Sequence, residues 1–117
     1  MISEELEITI QNAFELAKSK KHEFLTLEHL LLELCKDKNV LKLFEVCNVN
    51  IKGLSKDLDD YVKEKLKSIT SNDQVKPMPS SSFERVLKRA AQHVQSSGKR
   101  KVKSLNILVS MFSERDS

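Results

Sequence analysis

At 117 residues the chain is one domain's length, long enough to bury a hydrophobic core, and it has no apolar run of membrane-spanning length. Two Gly, two Pro, six Phe/Tyr/Trp and 32% charged residues, with Leu, Lys and Glu abundant, predict an all-α domain. The net charge of +3 is uneven: residues 1–79 carry 12 Lys/Arg and 14 Asp/Glu, residues 80–117 carry 8 and 3.

The first helix is expected to start near Ser3, an N-cap followed by acids that suit the helix dipole. Leu6, Ile10, Ala13, Phe14 and Ala17 recur at helical spacing, and Lys18-Ser-Lys-Lys21 closes the run. Thr26 starts a second helix with Glu28 in its first turn and Leu27, Leu30, Leu31, Leu34 and Cys35 as its stripe. Lys36-Asp-Lys-Asn39 ends it. A short third helix fits Val40 to Cys47, with Leu41, Phe44 and Val46 inward. Asn50 can cap a fourth, carrying Ile51, Leu54, Leu58, Tyr61, Val62 and Leu66. From Thr70 to Ser81 periodicity vanishes and both prolines occur, which reads as a linker. A fifth helix carries Phe83, Val86, Leu87, Ala90, Ala91 and Val94 and stops at Gly98, a left-handed cap. After the basic Lys99-Arg-Lys-Val-Lys103, a sixth helix carries Leu105, Ile107, Leu108, Met111 and Phe112.

The two halves match at an offset of 77: Leu6 on Phe83, Ile10 on Leu87, Ala13 on Ala90, Ala17 on Val94, His29 on Asn106 and Leu34 on Met111. Such a repeat predicts two helical units related by a pseudo-twofold axis. Repeat one spans 1–68, the linker 69–81 and a partial repeat two 82–117. The second unit has only two helices before Ser117, so it is expected to be truncated, to leave apolar surface exposed, and to make the domain a monomer or, through that surface, a dimer.

His22-Glu23 opens like H-E-x-x-H, but Thr26 stands where the second histidine belongs and His29 lies across a helix start. Metal catalysis is set aside on that ground; an adventitious surface ion is the stronger metal reading. His29, whose repeat mate is Asn106, reads as a side chain bonding local backbone, and His93 as part-buried. Glu23 and Glu28 have no nucleophile or raised-pKa pocket beside them, so solubility and helix capping are their plain roles. Cys35 and Cys47 lack metal spacing and read as buried free thiols. With the acidic opening Met1-Ile-Ser-Glu-Glu5, they imply a reducing, cytoplasmic or matrix-like location. The basic C-terminal half leaves a small helical nucleic-acid-binding protein as an alternative, weakened by the lack of interleaved aromatics or a recognition helix.

"HEFLTLEHLLLEL" (22–34) and "FERVLKRAAQHVQSSGK" (83–99) resemble the N-terminal repeat domain of the ClpA-type unfoldases. These are AAA+ (Hsp100-class) ATPases that feed proteins to the ClpP peptidase. Within that group the "HVQSSG" run points to ClpA rather than ClpB or ClpC. The resemblance covers the whole chain and implies a double Clp repeat of eight helices, here ending after the sixth. It implies a docking module and not an enzyme: no G-x-x-x-x-G-K-[ST] occurs, so ATP and magnesium belong to modules of the parent outside this chain, and the chain itself needs no cofactor. The implied partners are the adaptor ClpS and protein substrates, with ClpP reached through a hexameric parent, and neither nucleic acid nor membrane. The family's ClpS surface falls on Glu23, Glu28, Ser80 and Arg85 here, with Ser80 in place of a threonine. Lys103 replaces the family's second-repeat threonine, which is expected to move that cap to Ser104.

Overall fold

Helix boundaries in this chain are set by short polar side chains that reach back to the backbone. The computed structural model describes residues 2–64, 76–98 and 101–113. Ser3 accepts the Leu6 amide hydrogen at 3.2 Å and starts α1, Glu4–Ser19. Thr26 starts α2, Leu27–Leu34, and Ser80 starts α5, Ser81–Ser96, by accepting from Phe83. Asn50 Oδ1 accepts from Gly53 and starts α4, Ile51–Glu64. The starts at Ser3, Thr26 and Asn50 lie where the sequence pattern puts them, whereas Ser80 and Ser81, expected in the linker, cap and open α5.

The other two starts differ. Asp37 Oδ1 takes the amide hydrogens of Asn39 and Val40, so α3 runs Lys38–Val46, two residues earlier than apolar spacing indicates. Its buried face is then Val40 and Phe44, while Leu41 is half-buried. Val46, expected inward, is 76% exposed, because two residues on from Phe44 is about 200° around a helix. The N-cap of α6, Ser104–Phe112, remains Lys103 rather than moving to Ser104. Lys103 has no side-chain acceptor. Asn106 fills the role instead, accepting the Lys103 N–H at 2.8 Å, and Ser104 becomes the first helical residue.

Three helices end alike. At the end of α1, Lys21 has φ 55°, its N–H bonds Lys18 O, and the His22 N–H reaches Ala17 O. This is a Schellman turn, which wants a residue with no penalty for left-handed backbone. Asn48 (φ 58°) ends α3 the same way, and Gly98 (φ 73°) ends α5 with its N–H on Gln95 O, the glycine as the sequence indicates. Lys21 and Gly98 occupy equivalent positions in the two repeats, and only the first carries a Cβ. Lys21→Gly is therefore expected to stabilise the domain, or at worst to be neutral, by up to about 1 kcal/mol in urea unfolding. A loss of 1 kcal/mol would show that this turn is not left-handed in solution.

The repeat is expressed in an exchange of strands. β1, Phe24–Leu25, pairs in parallel with β2, Met78–Pro79, in the register Phe24↔Met78 and Leu25↔Pro79. Shifted by 77, the same contact reappears as the Ile2↔Val102 bridge, with the partners' halves interchanged. The flanking bonds match too: Ser80 N–H to Leu25 O at 2.9 Å, Ser3 N–H to Val102 O at 2.9 Å. Each repeat thus lends its leading strand to the other, as a twofold relation requires. The pairing was not visible in the sequence, where Met78-Pro79 sits in an aperiodic stretch.

α1 packs on α2 and α5 on α6; α4 covers α2, and α3 bridges α4 and α6. The core collects Leu6, Ala13, Ala17, Leu30, Leu34, Phe83, Val86, Ala90, Ile107 and Leu108. Several residues of the expected stripes stay outside: Ala91 is exposed, as are Tyr61, Leu105 and Phe112. Phe112 is 76% exposed, at the far end of α6. Leu66 and residues 69–75 of the expected linker lie outside the described residues.

Candidate functional site

The β1–β2 ribbon is what joins the first candidate residues. Met78 N–H donates to Glu23 O at 3.1 Å and Ser80 N–H to Leu25 O, so Glu23 and Ser80 sit on neighbouring strands of one surface. The Glu23 side chain is exposed, with the exposed apolar pair Phe24 and Met78 beside it. Ser80 Oγ accepts from Phe83 N–H and keeps its own hydrogen to donate. Arg85 follows on the exposed side of α5, one nitrogen donating to Ser82 Oγ at 3.0 Å.

Glu28 belongs to a different feature. It stands half-buried in the first turn of α2, at the rim of an apolar groove of about 340 Å³. Leu31, Phe44, Leu54, Leu58, Leu108 and Met111 line that groove, so four helices contribute to it. α6 also adds the exposed Phe112 to that lining. Apolar surface on the second unit was expected; the groove, formed across both repeats, was not.

The histidines are arranged otherwise than their sequence suggests. His22 is 2% exposed, and its Nδ1 lies 2.8 Å from Nε2 of His29, fully buried. The Schellman turn after α1 swings His22 inward, which no spacing rule reveals. His29 Nδ1 accepts the Thr26 N–H at 3.0 Å, and the Thr26 hydroxyl receives the His29 N–H in return, a reciprocal capping box. His29 thus bonds local backbone, as its repeat mate Asn106 does at Lys103. Burial lowers the pKa of His29 to about 4, with the neighbouring His22 as a second cause. His22 is lowered as well, first by burial and then by Lys20. His93, expected part-buried, is exposed.

Cys35 is buried and burial raises its thiol pKa, against a smaller opposite effect from Ser55. Such a thiol is a poor nucleophile. Cys47, expected buried, is exposed at the C-cap of α3. No group of three or more His, Cys, Asp or Glu stands ready to hold a metal ion among the described residues. No helix there is long and apolar enough to cross a membrane.

Chemically, this surface offers carboxylates, a hydroxyl, a guanidinium and apolar side chains. The Clp repeat (R) N-terminal domain family matches residues 1–117. A ClpA homolog protein of Fuscovulum blasticum is 40% identical over 116 residues, 98% of this chain but 15% of that protein. The Hsp104 N-terminal domain from Candida albicans superposes with a TM-score of 0.81 at 19% identity, over 93% of this chain and 71% of that one. A ClpV N-domain in complex with a VipB peptide gives a TM-score of 0.79 at 17% identity, over 98% of this chain and 69% of that one.

Proposed function

The chain belongs to the Clp repeat N-terminal domain family, and from that premise we propose that it is the docking domain of a ClpA-type AAA+ unfoldase. Its partners are then the adaptor ClpS and protein substrates, with ClpP reached through the parent hexamer. The observation that carries this reading is the 40% identity to a ClpA homolog along nearly the whole chain. The chain spans about 15% of that relative's length, which leaves room for the ATP- and magnesium-binding modules in the rest of a parent.

In this reading the partner meets Glu23, Ser80 and Arg85 along the ribbon, and Glu28 at the rim of the groove. A basic partner group facing Glu23 gains attraction without desolvating a buried charge. The domain's own energetics need not be strong, because tethering to the hexamer raises the effective concentration of bound cargo.

Glu23→Lys and Glu28→Lys are each expected to weaken ClpS binding tenfold or more in titration calorimetry. Far-UV circular dichroism should stay unchanged, since Glu23 is exposed and reversing Glu28 disturbs a helix dipole by only about 0.5–1 kcal/mol. Unchanged affinity in both variants would remove these residues from the docking surface.

A further inference from the structure

We propose that His22 and His29 form an acid-sensitive latch: the neutral pair holds the start of α2 against the β1–β2 ribbon, and proton uptake releases it. The direction of the ring-to-ring bond follows from Thr26. A backbone N–H can only donate, so the Thr26 amide at 3.0 Å makes His29 Nδ1 an acceptor. Neutral His29 then carries its hydrogen on Nε2 and donates it to His22 Nδ1 across 2.8 Å. Each neutral imidazole has one ring lone pair, and both are occupied. A proton added to His22 Nδ1 faces the N–H of His29, so that hydrogen bond is lost and two donors confront each other. One added to His29 Nδ1 displaces the Thr26 N–H and turns to the Thr26 hydroxyl oxygen 2.9 Å away, so the bond that closes the capping box is lost.

The segment between the rings holds more than itself. Thr26 caps α2, Leu25 accepts the Ser80 N–H, Glu23 accepts the Met78 N–H, and the His22 N–H closes the turn after α1. Opening the pair therefore loosens a helix start and a strand together.

Among the described residues no carboxylate offsets a charged ring. Lys20, at the end of α1, opposes one at His22. The other charges of α1, namely Glu4, Glu5, Glu7, Glu15 and Lys18, are exposed. On α4, Lys52, Lys56, Asp57, Asp60, Lys63 and Glu64 are exposed, and half-buried Asp59 is paired with Lys63. β2 and α6 carry no charged side chain. On the pair's own segment Glu23 is exposed, Glu28 stands at the groove and Glu33 is paired with Lys36.

The unfolded chain takes up this proton near 6.5 and the folded chain near 4. A lowered folded-state pKa means that stability is complete above about pH 6.5 and falls as the pH drops towards 4. From His29 alone, the folding constant falls about 30-fold between pH 7.5 and pH 5. The repeat supplies the control, because Asn106 shows that an asparagine can accept the N-cap amide. Urea unfolding of the wild type should show the 30-fold fall, and His29→Asn should show a much shallower one. Amide exchange at Thr26, Met78 and Ser80 should accelerate at pH 5 before that of Val86 and Ala90 in α5. Parallel stability curves for the two proteins would overturn the latch. So would ¹⁵N ring shifts of the folded wild type showing either imidazole titrating near 6.5, a measurement that needs no variant to fold.

Discussion

Phe83→Ala is expected to lower stability by about 3–5 kcal/mol, read as a drop in urea midpoint at unchanged slope. Phe83 is 2% exposed and the largest of the fully buried side chains among the described residues, on α5, which packs on α6. Truncation removes its transfer energy and leaves a cavity bounded by helices that cannot collapse freely. A domain of this size has about 5–15 kcal/mol in total, so the change takes a large share. Phe83→Leu installs what Leu6 provides at the equivalent position of the first repeat. It should cost under about 1.5 kcal/mol, and it keeps the measurement possible if the alanine variant does not fold. Phe112→Ala should change stability by less than about 0.5 kcal/mol, because that ring is 76% exposed. Equal losses at Phe83 and Phe112 would show that the end of α6 is covered in solution.

Asp37→Ala carries the second large effect, about 2–4 kcal/mol. One oxygen of Asp37 accepts two amide hydrogens at the start of α3, at 2.8 and 3.2 Å. The other accepts the Ser104 hydroxyl at 2.6 Å, joining the first repeat to α6. The lost cap is worth about 1 kcal/mol, and a buried hydroxyl without its acceptor costs a further 1–3 kcal/mol. Ser104 is 5% exposed, so water does not readily replace the carboxylate. A double-mutant cycle with Ser104→Ala should return a coupling of about 1 kcal/mol or more. Strict additivity would show that the bond between the repeats contributes nothing.

These two residues mark what the sequence discloses and what it hides. Phe83 was legible because a helix repeats its buried positions every three or four residues; the same period located α1, α2, α4 and α5, and short polar residues marked the N-caps of the first three. Phe112 obeys that period equally well; whether a stripe is covered depends on which helix lies over it, and that is a tertiary fact. Asp37 was hidden because a capping aspartate and a loop aspartate look alike until the helix behind them is fixed. Of the candidate site, the resemblance supplied Glu23, Ser80 and Arg85, but only the ribbon brings the Glu23 and Ser80 segments together. A two-residue strand containing a proline has no periodicity to read. The histidine pair was missed for a related reason: a left-handed Lys21 decides which way His22 turns, and lysine does not announce that conformation.

The strand exchange also bears on how the chain reaches this structure. Ile2 meets Val102 and Phe24 meets Met78, so both strand contacts join residues far apart in sequence, one of them across nearly the whole polypeptide. Neither repeat can complete its own ribbon from its own residues. Helix pairs such as α1–α2 and α5–α6 close short loops and can form early, whereas each ribbon must await both halves. The strands are then late events with low φ-values: substitutions at Ile2 or Val102 act mainly on the unfolding rate and leave the folding rate nearly unchanged. Duplication of a helical unit has in this way been made irreversible by topology, since cutting the two copies apart would leave each with an unpaired strand.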